Sequence, residues 1–347
     1  MTTDRFIDLY SDTKSLPTDG MRRFMMAAEL GDEQKDEDRN VLELNARVAD
    51  LLGKEAAVLL PSGTMCNEIA IAVHCRPGEE VICDRSAHIV NFETGGPSAL
   101  AGAMIRTIDS SSGLFTSEQL KAAIRPDSRY APRSRLAVVE QTANLGGGAI
   151  WPLEQINQIG NAAREAGLVL HLDGARLLNA VVEAKVPARC YAAPFDSAWI
   201  DLTKGLGCPV GAVLAGSRDF IKDAWRLKQR WGGAMRQSGI LAAAGLYALD
   251  HHVERLAEDH DNARRLAVSL REIAGLSAPA VIETNIVFFD VHRDGLSATQ
   301  LVAELKAAGV GMGAFGPKTV RAVTHLGVSR ADIDLTIEVV RKILQWR

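Results

Sequence analysis

With 347 residues, the chain has room for a large core and for one large domain plus a smaller one. Its 39 basic and 43 acidic residues nearly cancel, which leaves no basic footprint for nucleic acid or an acidic membrane surface and points to a small molecule as partner. Five cysteines, odd in number and without CxxC spacing, indicate neither a disulfide framework nor a zinc site, so no metal is expected and the thiols read as reduced.

The longest apolar run, starting at Ile240, is about half a membrane span. The opening Met1-Thr-Thr-Asp-Arg5 lacks a basic region followed by an apolar one. A cytoplasmic protein with no membrane partner is the expectation.

In chain order, the residues before Asn45 show no clear alternation of strand and helix. Asp8-Leu-Tyr-Ser-Asp-Thr13 is polar, Pro17 to Met21 reads as a helix start, and Gly31 to Arg39 is a charge run of the kind that is usually a solvated loop. Helical apolar spacing then runs from Val41 to Leu52, followed by a short strand over Ala56–Leu60. Pro61-Ser62-Gly63-Thr64 leads directly into an amphipathic helix, Met65 to His74. Free N–H groups, the helix dipole and two hydroxyls meet there, a ready anion site, although Ser and Thr are also ordinary caps.

The alternation continues with Val81 to Asp84, after which His88 stands just past a strand end, ahead of the Glu93-Thr-Gly-Gly96 turn. An imidazole there can stack on a planar cofactor or serve as a satisfied structural residue. Leu136–Glu140 reads as a buried strand, Leu153 to Ala166 as a helix, and Leu168–Leu172 as a buried strand ending at Asp173-Gly. A further apolar strand from Ser197 ends at Lys204, followed by Gly205 and Gly207, and Gly211 to Gly216 reads as its neighbour. Trp225 to Arg236 is strongly basic, either a phosphate clamp or a polar helix end. One long helical stretch follows, roughly from Ile240 to Ile273. The remainder reads as a strand from Ile286, a helix capped by Ser297, a strand from Thr319 to Thr324 and a terminal helix from Ser329 to Leu344.

Strands alternating with amphipathic helices imply an α/β fold with a mostly parallel sheet flanked by helices, plus a small C-terminal α+β domain. Polar residues at strand C-terminal ends gather where such sheets bind ligands. A lysine at one strand end and an aspartate at another suit pyridoxal 5'-phosphate: Lys204 forms the Schiff base and Asp173 keeps the pyridine nitrogen protonated, so that the ring accepts carbanion electrons. Taken singly, Lys204 is also what a solvated surface lysine looks like, and Asp173-Gly what a turn looks like.

Several motifs occur together in one order: Asp8 to Thr13, Leu60-Pro-Ser-Gly-Thr64, Ala87-His88 with Glu93 to Gly96, Leu172-Asp-Gly-Ala-Arg176, Lys204-Gly-Leu-Gly207, Gly232 to Ser238, and Arg321-Ala-Val-Thr-His325. In these the chain resembles the threonine aldolase branch of the β-eliminating lyase family, fold-type I pyridoxal phosphate enzymes, almost end to end. The resemblance implies that Lys204 carries the cofactor, Asp173 pairs with its ring nitrogen and His88 stacks on the ring. It further implies that Gly63, Thr64 and a neighbouring subunit's Arg236 hold the phosphate, and that Ser11, Arg176 and Arg321 bind the substrate carboxylate. The implied layout is an N-terminal segment at the site (residues 1–45), a large cofactor-binding domain (46–249) and a small domain (250–347).

The implied activity is cleavage of a β-hydroxy-α-amino acid, such as L-threonine or L-allo-threonine, to glycine and an aldehyde, in a homodimer or homotetramer with shared sites. Other expectations stay open: β-elimination, racemisation or transamination on the same scaffold, and a non-catalytic cofactor-binding protein. The chain departs from the family where Ala143 stands in Glu140-Gln-Thr-Ala-Asn144 in place of a histidine, where a second family histidine falls at Tyr130, at Lys35, and at Lys228-Gln229. Alanine for histidine is expected to open volume for a bulkier β-substituent, as in phenylserine, with Tyr130 as a further substrate contact.

Overall fold

The computed structural model describes residues 6–345, so the opening stretch from Met1 to Arg5, read above for a targeting signal, lies outside the described residues. A two-residue strand, β1 (Ile7–Asp8), comes first. Seven strands then build the large sheet: β2 (Ala56–Leu60), β3 (Glu80–Asp84), β4 (Met104–Ile108), β5 (Ser134–Glu140), β6 (Val169–Asp173), β7 (Ser197–Asp201) and β8 (Ala212–Gly216). Their order is β2-β8-β7-β6-β5-β3-β4. The run from β7 through β4 is parallel, and β8 is antiparallel to both of its neighbours.

Every strand of this sheet except β8 therefore ends at one edge. Four of those ends are carboxylates, Asp84, Glu140, Asp173 and Asp201. Apart from β4, where Met104 and Thr107 are exposed, the strands are short, largely buried runs because helices cover both faces.

A second core lies on a four-stranded antiparallel sheet made of β9 (Leu276–Ser277), β10 (Ile286–Val291), β12 (Gly313–Ala314) and β13 (Thr319–Val323), with β11 (Val310–Gly311) outside it. Leu266, Val287, Phe289, Val320 and Ile333 are buried there. The β11 strand pairs in parallel with β1, and Val323 N–H donates to the Leu9 carbonyl, so the N-terminal segment is stitched to the second sheet. The mostly parallel, helix-flanked sheet with a smaller antiparallel domain is the architecture the alternating pattern implies.

Three local expectations change. The strand expected to end at Lys204 ends at Asp201, and Lys204 lies in the turn between β7 and β8. The single helix expected from Ile240 to Ile273 is two, Gly239–His251 and Leu256–Arg271. At the break His252 Nδ1 donates to the Leu206 carbonyl at 2.7 Å, which ties the first helix to the lysine turn. The charge run over 31–39 is not a solvated loop, because Glu33 and Asp38 are buried. Asp38 caps the helix Arg39–Leu52 through Val41 N–H at 3.2 Å and accepts Gly239 N–H at 2.9 Å. Glu33 meets the fully buried Lys228 ammonium at 2.8 Å and accepts from Met235 N–H and the Ser238 hydroxyl.

Candidate active site

Lys204 sits on a tight return from β7 to β8, where Gly207 takes a φ of 73° that a side chain would resist. Its amine is 2.9 Å from Asp201 Oδ2, while Asp201 Oδ1 accepts the Thr203 N–H and hydroxyl. The lysine side chain is 15% exposed and its amine lies 5.7 Å from the Trp199 ring centroid. Gly63, the first residue of the helix Gly63–His74, packs against that same indole: a Cβ there would lie 2.3 Å from the ring. The N–H groups of Gly63 and Thr64 have no acceptor within the helix, and Thr64 faces solvent.

Asp173 ends β6, fully buried, with Ala175 N–H on one oxygen at 3.1 Å and the Asn67 amide on the other at 2.9 Å. Asn67 also donates to Glu93, which accepts His88 Nδ1, both at 2.8 Å. Glu140 accepts the backbone N–H groups of His88 and Asn144, which pins the His88 helix to the end of β5.

Burial and the Glu93 charge lift the Asp173 carboxyl above the ordinary range, against the pull of His88, Asn67 and Lys204. Burial also raises Glu68, which faces Glu93, to about 8, and Glu140 to about 7. For His88 burial opposes the charged form, yet the Glu93 hydrogen bond and the surrounding carboxylates outweigh it and raise its pKa.

The second cluster holds the arginines. Arg176 is buried and bonded twice to Asp12, at 2.7 and 2.8 Å, so its fork is taken. Burial alone would raise Asp12, but that guanidinium drives it below the usual carboxylate range. Ser11 is adjacent, its hydroxyl accepting from Thr13. Arg321, on β13, donates to Asn144 Oδ1 at 3.0 Å and to the Tyr10 carbonyl at 3.3 Å, with the Phe315 ring 4.1 Å away on one face. Its Nε is buried without a partner, no carboxylate among the described residues pairs with it, and burial together with Arg176 lowers it to about 10. Arg321 is a buried cation short of an anion.

Lys204, Asp173, His88, Arg176, Arg321 and Ser11 thus belong to linked clusters. Two others do not join them within one chain. Arg236 is 61% exposed and pairs with Asp32 at 3.1 Å. Tyr130 is 89% exposed on a surface loop. The methyl of Ala143 is buried, and Cβ atoms added at Gly113 and Gly146 would come within 2.8 and 3.0 Å of it, so both turns pack close to that methyl. Asp201, Asn67 and Asn144 escape a reading of the sequence. Only the carboxylate three residues before Lys204 offered a signal.

Lys204, in the turn after β7, and the buried Asp173, which has no ion-pair partner among the described residues, both at the C-terminal edge of the sheet, define a site of the pyridoxal phosphate class. The donor set fits the group: Asp173 has spare lone pairs and an unmet charge that suit a protonated ring nitrogen, and the open helix start at Gly63–Thr64 suits a phosphate. The chain belongs to the beta-eliminating lyase family, which matches residues 8–294. It is 42% identical over 328 residues to the low specificity L-threonine aldolase of Escherichia coli (strain K12), covering 94% of this chain and 96% of that one. Low-specificity L-threonine aldolase 1 of Arabidopsis thaliana is 38% identical over 340 residues, covering 96% and 95%. The solved threonine aldolase of Leishmania major superposes with a TM-score of 0.83 over 97% of this chain and 99% of that one, at 22% identity, a likeness of fold.

Proposed function

We propose that this chain is a carbon–carbon lyase that cleaves β-hydroxy-α-amino acids of the L-threonine type to glycine and an aldehyde, with pyridoxal 5'-phosphate as cofactor. The observation that carries this reading is the unpaired Arg321 cation beside the Lys204–Asp173 centre, in a chain of the lyase family whose relatives are threonine aldolases over nearly their whole length. A bidentate guanidinium matches a substrate carboxylate, and Arg321 is the one of the two arginines with a side free to do so.

Bound at Lys204, the cofactor supplies an electron sink for the pair released when the Cα–Cβ bond breaks. Asp201 holds the Lys204 amine at 2.9 Å and would orient it toward the cofactor. Asp173 would hold the proton on the ring nitrogen. His88 would cover the ring face, and because Nδ1 is committed to Glu93, Nε2 would be the atom left to take or return a proton. The N–H groups of Gly63 and Thr64 would hold the phosphate together with Arg236 of a second copy. Arg176, fixed by Asp12, and Ser11 orient the carboxylate that Arg321 binds.

Shared sites of that kind require a homodimer or homotetramer. Support comes from the exposure of Arg236 and from exposed Tyr10, Leu16, Phe24, Met26 and Leu30 along the N-terminal segment. Tyr130 would meet a substrate only in a neighbouring subunit's site. Unpaired cysteines, four of the five buried, support a reducing compartment such as the cytoplasm; among the described residues no helix is long and apolar enough to cross a membrane.

The test is a product assay on cofactor-loaded protein with L-threonine, L-allo-threonine and phenylserine. Equimolar glycine and aldehyde are expected. A 2-oxo acid with ammonia, and no glycine, would replace this reading with elimination.

A further inference from the structure

Asn67 is fully buried on the inner face of the helix Gly63–His74, and its four hydrogen-bonding positions are all used. Its Oδ1 lies 2.8 Å from Trp199 Nε1 and 3.1 Å from His171 Nε2. An indole nitrogen only donates, so this atom must be the amide oxygen and the His171 nitrogen facing it must carry its proton. His171 Nδ1 then accepts from the Ser197 hydroxyl at 2.8 Å, and Ser197 Oγ accepts from His74 Nε2 at 2.8 Å. Burial holds both imidazoles neutral, at about 3 for His171 and about 4 for His74.

The chain His74–Ser197–His171 therefore moves no charge. Trp199 fixes which way the Asn67 amide faces, and the histidine chain is matched to that orientation. That orientation aims both N–H bonds of Nδ2 at carboxylates, one to Asp173 Oδ2 at 2.9 Å and one to Glu93 Oε1 at 2.8 Å. These two oxygens belong to the groups that face the ring nitrogen and the stacking imidazole.

We infer that Asn67 is a positioning residue for the lyase reaction: one amide, locked by Trp199 and His171, holds Asp173 and Glu93 in place together and so joins the ring-nitrogen clamp to His88. The inference rests on the proposed role of Asp173. Without the amide, two buried carboxylates would face each other across its place, with Ala175 N–H left on Asp173, and His88 and the neighbouring Glu68 carboxyl left on Glu93. Geometry at Asp173 and at His88 would then loosen in one step.

A double-mutant cycle on the cofactor-loaded protein tests this, using the isosteric Asn67→Asp together with Asp173→Asn. It reads kcat and KM, and also the absorbance of the bound cofactor without substrate. Asn67→Asp is expected to lower kcat on the order of 10- to 100-fold, the worth of a hydrogen bond to a charged group, with KM little changed. It should shift the absorbance in the same direction as Asp173→Asn and add little in the Asp173→Asn background. Asn67→Ser carries the same expectation should the aspartate variant fail to fold. Full additivity in the double variant, or wild-type absorbance with lowered activity, would overturn the inference and leave the role of Asp173 standing. Wild-type kcat in Asp173→Asn alone would overturn that role as well.

Discussion

Arg176 and Arg321 both contact Asn144 and yet have different fates. Asp12 occupies the first, whereas Phe315 and Asn144 hold the second ready and leave it without an anion. Arg321→Gln is therefore expected to raise KM for the amino acid roughly 10- to 100-fold with a smaller change in kcat, since it removes a charge-assisted contact made in ground and transition state alike. An unchanged KM would place the carboxylate elsewhere. Lys204 and Asp173 are legible in the sequence because each follows an apolar run and is followed by glycine, and His88 because it comes shortly after a strand end and ahead of the Glu93-Thr-Gly-Gly96 turn. Asn67 and Asp12 are not, because what they do depends on partners 106 and 164 residues away. An asparagine inside an amphipathic helix carries no mark of the carboxylate it will meet. Asp201 is the nearest miss: read as part of the strand, it proves to be the anion that holds the lysine.

Among the elements, the acidic stretch over 31–39 shows how composition misleads. Its charge density suggests water on all sides, but Glu33 and Asp38 point inward and fasten the helix starts at Arg39 and Gly239 and the loop before Ser238. The Glu33–Lys228 pair is fully buried on both sides, with the ammonium 4.2 Å from the Trp225 ring centroid. Removing one partner leaves the other charged in a dry site, so Glu33→Gln is expected to cost about 3–5 kcal/mol of stability, read as a lower denaturation midpoint. A loss under about 1 kcal/mol, as for an exposed pair, would contradict the buried-pair account. The basic residues of Trp225 to Arg236 divide the same way: Lys228 locks the fold, and Arg236 is left at the surface.

For the whole molecule, the buried ionisable groups set the pH range of stability. Glu68 and Glu140, raised from 4.5 to about 8 and about 7, keep protons in the folded state that the unfolded chain has released, so the fold loses stability as pH rises through that window. His171 and His74, lowered from 6.5 to about 3 and about 4, act in the opposite sense: their contribution is complete above 6.5 and is lost as pH falls toward those values. The two effects oppose each other between 4.5 and 6.5, and at lower pH the histidine loss is joined by that of Asp12, whose carboxyl is held below its ordinary range. With cofactor removed, Tm is expected to be highest at mildly acidic pH, to drop steeply below about 4.5 and to decline toward pH 8, with Glu68→Gln flattening the alkaline side. A Tm that climbs steadily from pH 5 to 8 would refute this balance. The stitching of β1 to β11 has one more consequence, in time rather than space. Asp12 is joined to Arg176 and to Asn285, 164 and 273 residues later, so during synthesis this segment must wait for residues far behind it before its corner of the site exists. During that wait the apolar side chains of the N-terminal segment stand uncovered, which makes the nascent chain, more than the finished protein, the species at risk of aggregation.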